Sequence, residues 1–141
     1  MYFKPLLLPL LAQVALTFFV MLVMYQRRVG EMKSKRIHPQ RAKTRSAAHG
    51  VLPDSESASN NYSNLLESPL LFYVAILLTL ILMVQDSILV ALAWTYVASR
   101  YVHSLIHITY NRVMHRFSVF VFSCFVLLAM WVRLGWIIIQ A

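Results

Sequence analysis

The chain has 141 residues, 60% of them hydrophobic and 13% charged, with a net charge of +8; a soluble domain carries about 45–50% apolar and about 25% charged residues. Such hydrophobicity excludes a disordered chain, and so few polar residues cannot cover the surface of a water-soluble globule this small. Three Gly and five Pro exclude a collagen-like chain, and the single Cys excludes a disulfide framework or a cysteine-built zinc site, which leaves a small integral membrane protein.

A hydrocarbon core of about 30 Å needs roughly 20 apolar residues as helix. The first such stretch is residues 5–25, interrupted only by Gln13 and Thr17. It lacks the basic leader and small-residue cleavage site of a signal peptide, so it is expected to be a retained span. A polar segment follows at residues 26–60, expected to be a loop, basic in its first half and rich in small polar residues in its second. Its basic half should be drawn to anionic lipid at about 1 kcal/mol per residue near the surface. The second span is expected over residues 65–84, with Glu67 near its start, and the third over residues 88–108. A short connection makes the third and fourth spans an antiparallel hairpin, the fourth covering residues 117–139. The predicted fold is therefore all-α, a single domain over residues 1–141 forming a bundle of four transmembrane helices.

The basic residues are unevenly placed. Eight of the 13 lie between Arg27 and Arg45, and Arg112 and Arg116 join them in the third connection. Only Lys4 lies on the opposite side. This is a topology signal rather than a nucleic-acid footprint, and it predicts cytoplasmic first and third connections with both termini outside. Arg133 and Trp136 near the outer end of the fourth span are expected as interfacial anchors, Arg133 snorkelling or pairing with Asp86. Cys124 is expected to be an inert thiol, and the Met residues packing elements.

Ionisable groups within a span are costly and face a bundle interior, a water-filled cavity or a partner. In the third span Arg100, His103, His107 and Asn111 recur at spacings of 3, 4 and 4, which places all four within about 80° on one helix face. Tyr96, Tyr110 and Met114 flank that stripe. In the second span Asn64 and Glu67 share a face, with Asn60 one turn earlier. Glu67 lies opposite Arg27, Arg28, Arg112 and Arg116 at the same membrane level. A carboxylate beside several guanidiniums suits a zwitterionic or polyanionic ligand. The same residues also fit simple interhelical glue, with Glu67 paired to Arg100 or Arg116. His103 and His107 at i and i+4 fit a zinc pair if Glu67 or His115 completed it, but HSLIH lacks the glutamate of the zincin motif. A proton relay fits the titratable groups, without the broken-helix pair that many transporters carry.

These residues together resemble the MAPEG family, membrane-associated proteins in eicosanoid and glutathione metabolism. The resemblance rests on Asn64-Leu-Leu-Glu67-Ser-Pro69-Leu-Leu-Phe72 in the second helix, Arg100-Tyr-Val-His103 in the third and His115-Arg116-Phe117 at the start of the fourth. HSLIHITYNRVMHRF is most similar to the bacterial branch, implying a bacterial inner membrane. The resemblance implies a homotrimer that binds glutathione between subunits at the cytoplasmic side and adds it, or a related thiol, to a lipophilic electrophile. It further implies that Asn64 and Glu67 hold the polar groups of the tripeptide, that Arg27 or Arg28 takes a carboxylate and that His103 contacts the peptide. Arg116 would stand by the thiol, where a guanidinium favours the nucleophilic thiolate. Arg100 would be structural, paired with Glu67 or a helix-two carbonyl. The chain departs from the family pattern in three places: Asn60, Asn61, Tyr62 and Ser63 replace basic residues, His107 replaces a tyrosine (with Tyr110 one turn away), and Phe117 displaces a serine. The family also contains a non-enzymatic lipid-binding scaffold, which keeps a non-catalytic reading open.

Overall fold

A computed structural model describes residues 4–140; residues 1–3 and 141 of the expected domain lie outside the described residues. The described chain is all-helical. Helix α1 spans Lys4–Ser34, followed by a 3₁₀ turn at Pro39–Ala42, α2 at Arg45–Val51, α3 at Pro53–Glu67, α4 at Leu70–Ile81, α5 at Ser87–Ile108 and α6 at Val113–Gln140. Helix α5 packs along α6 and α1, α3 packs on α1 and α5, and α4 packs on α6 and α1.

Helix α1, with 31 residues, is about 46 Å long and outruns the hydrocarbon core, so its polar end from Arg27 projects beyond it. The stretch at residues 26–60 is therefore mostly not a loop. It is helical through Ser34 and again from Pro53. The second start has local causes: Pro53 occupies the first helical turn, where its missing N–H costs nothing, and Asp54 and Glu56 complement the helix dipole. It also has a distant one. Glu31 of α1 is buried and accepts the backbone N–H groups of Asp54 (3.0 Å) and Ser55 (2.9 Å), two donors that the first turn of α3 leaves unpaired. Lys35 Nζ bridges Glu31 (2.7 Å) and Asp54 (2.8 Å). The two carboxylates, Asp54 first, hold the Lys35 ammonium above its ordinary pKa.

The second expected span is broken. Pro69 cannot donate to the helix ladder, so α3 ends at Glu67 and α4 begins at Leu70. The phenol of Tyr96 donates to the carbonyl of Ser68 at this break (3.4 Å) and its ring stacks on Phe72, centroids 4.6 Å apart. Helix α4 closes with Met83 in the left-handed region (φ 52°) and Val84 N–H bonded to Thr79 O at 3.0 Å. Asp86 caps α5 through Leu89 N–H (2.8 Å) and also receives Arg133 at 2.6 Å, so Arg133 pairs with Asp86 as expected.

Phe72, Ile76, Leu89, Tyr96, Met130 and Leu134 centre one core, and Leu16, Val20 and Leu65 a smaller one. Leu11, Phe18, Phe125, Leu128 and Ile139 are exposed on the outside of the helices. An apolar exterior around a polar-containing interior is the arrangement of a protein in lipid. Three helical stretches, Pro5–Ser34, Pro53–Ile81 and Val113–Gln140, are long and apolar enough to cross a membrane. Helix α5 matches the expected third span in place and, with 22 residues, is about 33 Å long. It falls short on apolarity because of its polar stripe.

Candidate functional site

The stripe on α5 faces inward: Arg100, His103, Ser104 and His107 are all buried, Arg100 completely. The Arg100 guanidinium donates through Nη2 to Asn64 Oδ1 of α3 and sits 5.7 Å from the Phe120 ring centroid. Its Nε and Nη1 have no hydrogen-bond partner among the described residues. One turn on, Ser104 Oγ donates to Asn61 Oδ1 (3.2 Å). This second α3–α5 contact was not read from the sequence, where Asn61 counted only as a missing basic residue. The signal in the sequence is its spacing, one helical turn before the apolar Leu65, and both side chains are buried on the inner face of α3.

At the end of α5 the chain reverses through Asn111, whose φ of 47° lies in the left-handed region that Asn tolerates best among non-glycine residues. The turn brings Arg116 back toward α5. Arg116 Nη1 lies 2.8 Å from Asn111 Oδ1 and 3.3 Å from His107 Nε2. A guanidinium has no acceptor, so His107 Nε2 accepts and its ring proton sits on Nδ1. His107 Nδ1 and His103 Nδ1 are buried without a partner among the described residues. The two imidazoles meet edge to face at 5.6 Å.

Asn60 and Asn64 of α3, His103 and His107 of α5, and Arg116 and Phe117 of α6 line one open cleft of about 400 Å³, together with Val113 and Phe120. Four of the expected site residues, Asn64, His103, His107 and Arg116, thus come together, with Arg100 and Asn111 directly behind them. Others stand apart. Arg27 Nη2 donates to Ile108 O at 2.6 Å, which places a cation at the negative end of the α5 dipole. Arg28 is half-buried on α1, and Tyr110 is exposed with its hydroxyl 3.2 Å from His115 Nδ1. Glu67 is exposed and makes no ion pair among the described residues. The expected partnership of Arg100 or Arg116 with Glu67 is not made, because Glu67 lies on the exposed side of the helix while Arg100 donates to Asn64 and Arg116 to Asn111. Among the described residues no three His, Cys, Asp or Glu side chains cluster as a metal site, and His107 Nε2 is already turned to Arg116.

A cleft on a helical bundle with an apolar exterior, where polar side chains of three helices converge, defines a membrane protein with a small-molecule-sized site. A family model matches residues 6–136, and the chain belongs to the MAPEG family. It is thus a membrane protein of the group associated with glutathione and eicosanoid metabolism. No curated protein and no solved structure matches it.

Proposed function

We propose that the chain is a glutathione- or related-thiol-dependent transferase or peroxidase acting on lipophilic electrophiles delivered by the bilayer. The observation that carries this reading is the cleft in which Asn64, His103, His107 and Arg116 converge, backed by buried nitrogens of Arg100, His103 and His107 that have no partner among the described residues. Unpaired buried donors are costly, and a peptide with two carboxylates supplies acceptors. Arg116, oriented by Asn111 and His107, is the residue proposed to hold a bound thiol as thiolate beside its guanidinium. Asn64 and His103 are proposed to bind the peptide.

Arg27, Arg28, Glu67 and Tyr110 lie outside the cleft of one chain. Their role in the proposal is to complete the site from a neighbouring copy in a homotrimer, with all four helical columns crossing a bacterial inner membrane and both termini outside the cytoplasm. The test is titration of the detergent-solubilised protein with glutathione by calorimetry. Heat of binding and a thermal shift are expected, and their absence at millimolar ligand would refute the proposal. Arg116→Ala should then lower kcat more than it weakens binding; equal losses would make Arg116 a binding residue only.

A second reading, a non-catalytic lipid-binding scaffold, draws on the internal pairing of Arg100 with Asn64 and of Arg116 with Asn111. Under it, His103→Ala combined with Glu67→Ala disrupts the oligomer without changing any ligand response.

A further inference from the structure

The second half of α1 carries a feature unrelated to that cleft. Beyond Ser34 the chain folds back on the last turn of its own helix. Arg36 adopts a left-handed conformation (φ 53°), Ile37 N–H returns to Met32 O at 2.9 Å, and Pro39 opens the 3₁₀ turn. The reversal forms an open surface pocket of about 540 Å³ with walls from Val29, Met32, Ile37 and Pro39 and three polar residues, Lys33, Arg36 and His38.

The pocket lies on the face of α1 away from α3. Glu31 points to α3, and Val29, Met32 and Lys33 are rotated from it by roughly 100–200° at 100° per residue. The separation has an electrostatic consequence. Glu31 and Asp54, the carboxylates nearest this turn, are both engaged by Lys35 on the α3 side. Lys33 and Arg36 make no ion pair among the described residues. His38 Nδ1 accepts the N–H of Gln40 at 3.3 Å, which fixes the ring and leaves Nε2–H free to donate. The pocket therefore combines apolar walls, two uncompensated cations and one oriented donor.

Its height relative to the bilayer follows from helix geometry. The apolar run of α1 ends at Tyr25, and Lys33 lies eight residues later, about 12 Å along the axis. The interfacial layer on each side is about 5–8 Å deep. Helical side chains lean toward the N-terminus, so Lys33 and Met32 reach back toward the membrane across that gap.

We propose that this pocket binds the phosphate headgroup of an anionic phospholipid, with Lys33, Arg36 and His38 on the phosphate and the glycerol end against Val29 and Met32. Charge complementarity selects this occupant: a zwitterionic headgroup brings its own cation, and an acyl chain alone leaves the two guanidinium and ammonium charges unmatched.

The test is native mass spectrometry of the full chain in detergent, titrated with phosphatidylglycerol or phosphatidylcholine. Phosphatidylglycerol is expected to be retained preferentially. Each cation near an anionic group is worth about a fivefold factor, so Lys33→Gln with Arg36→Gln should weaken retention about 30-fold. Arg41→Gln with Lys43→Gln, which removes the same charge outside the pocket, should leave it unchanged. Val29→Trp fills the pocket at constant charge and should also abolish the preference. Equal retention of the two lipids, equal loss in both charge variants, or undiminished binding in Val29→Trp overturns the proposal. So does displacement of the lipid by excess inorganic phosphate, which would identify a free-anion site. Should the double variant lose its helicity, Lys33→Gln alone, on an exposed helical position, carries the same expectation at about fivefold.

Discussion

Removing the carboxamide of Asn64 should destabilise the bundle through a residue that itself remains untouched. Arg100 has no exposed surface, and Asn64 Oδ1 is the acceptor its guanidinium finds; Nε and Nη1 already go without. Asn64→Ala leaves a fully buried cation with no acceptor. Hydrogen bonds to charged groups are worth about 1.5–3 kcal/mol, and an orphaned buried donor costs a similar amount. The expected loss is therefore about 2–3 kcal/mol. For a chain of this length each kcal/mol moves Tm by roughly 3–4 °C, so tryptophan-fluorescence melts in detergent should fall by about 6–12 °C. Asn64→Asp restores an acceptor and should recover most of that loss, whereas Asn64→Leu should behave like alanine. A shift below about 2 °C for Asn64→Ala, or an aspartate no better than alanine, would refute the reasoning and mean that Arg100 is satisfied elsewhere.

Other outcomes follow from the same kind of geometry. Glu31→Ala strips two backbone donors at the start of α3 of their acceptor and should cost about 1–3 kcal/mol; proteolysis should then open the chain near Pro53, and Glu31→Gln, which keeps one oxygen, should lose about half as much. The Arg133 hydrogen bond holds the Asp86 carboxyl below its ordinary pKa, assisted by Leu89 N–H. A depressed folded pKa stabilises the fold above the ordinary carboxylate value of about 4 and ceases to do so as pH falls through the folded value. The Tm advantage of the wild type over Asp86→Asn should thus be constant near neutrality and shrink below about pH 4; an advantage that grows on acidification would contradict the assignment. Tyr96→Phe gives up only a 3.4 Å hydrogen bond and should cost under about 1 kcal/mol, while Tyr96→Ala also empties the stack on Phe72 and should cost about 3–5 kcal/mol by the same melts.

The helices were legible where apolar length or periodicity announced them: residues 88–108 in sequence against Ser87–Ile108 in space, and a polar stripe that did turn inward. Composition misled at residues 26–60, because a polar, basic segment reads as a loop. What makes Pro53 a helix start is partly local, the proline and the acids after it, but the acceptor for the N–H groups of Asp54 and Ser55 is Glu31, more than twenty residues away in α1. The partner of Arg100 was illegible for a related reason. Asn64 and Glu67 are three residues apart, which is a 60° rotation on the helix. Spacing assigns both to one face; packing against α5 then divides that face, with Asn64 toward the guanidinium and Glu67 on the exterior. A difference of one-sixth of a turn decides which side chain meets the arginine, and no hydropathy pattern resolves it.

The feature that lowers the apolarity of α5 is also the feature that gives the bundle an interior worth having. An arginine buried in an apolar bundle is costly to desolvate, and leucine at position 100 would avoid that cost while still filling the space between α3 and α6. Pure packing therefore does not require Arg100. What the arginine supplies is direction: it fixes Asn64 on α3, lies against Phe120 on α6, and so sets the spacing of the walls that His103, His107 and Arg116 complete. The three helices meet at polar contacts with defined angles rather than at interchangeable methyl groups. The unpaired nitrogens of Arg100, His103 and His107 are the cost of that arrangement in a single chain. The Arg100 nitrogens and the His107 Nδ1–H call for acceptors, and His103 Nδ1 for a partner, from a bound ligand, water or a neighbouring copy.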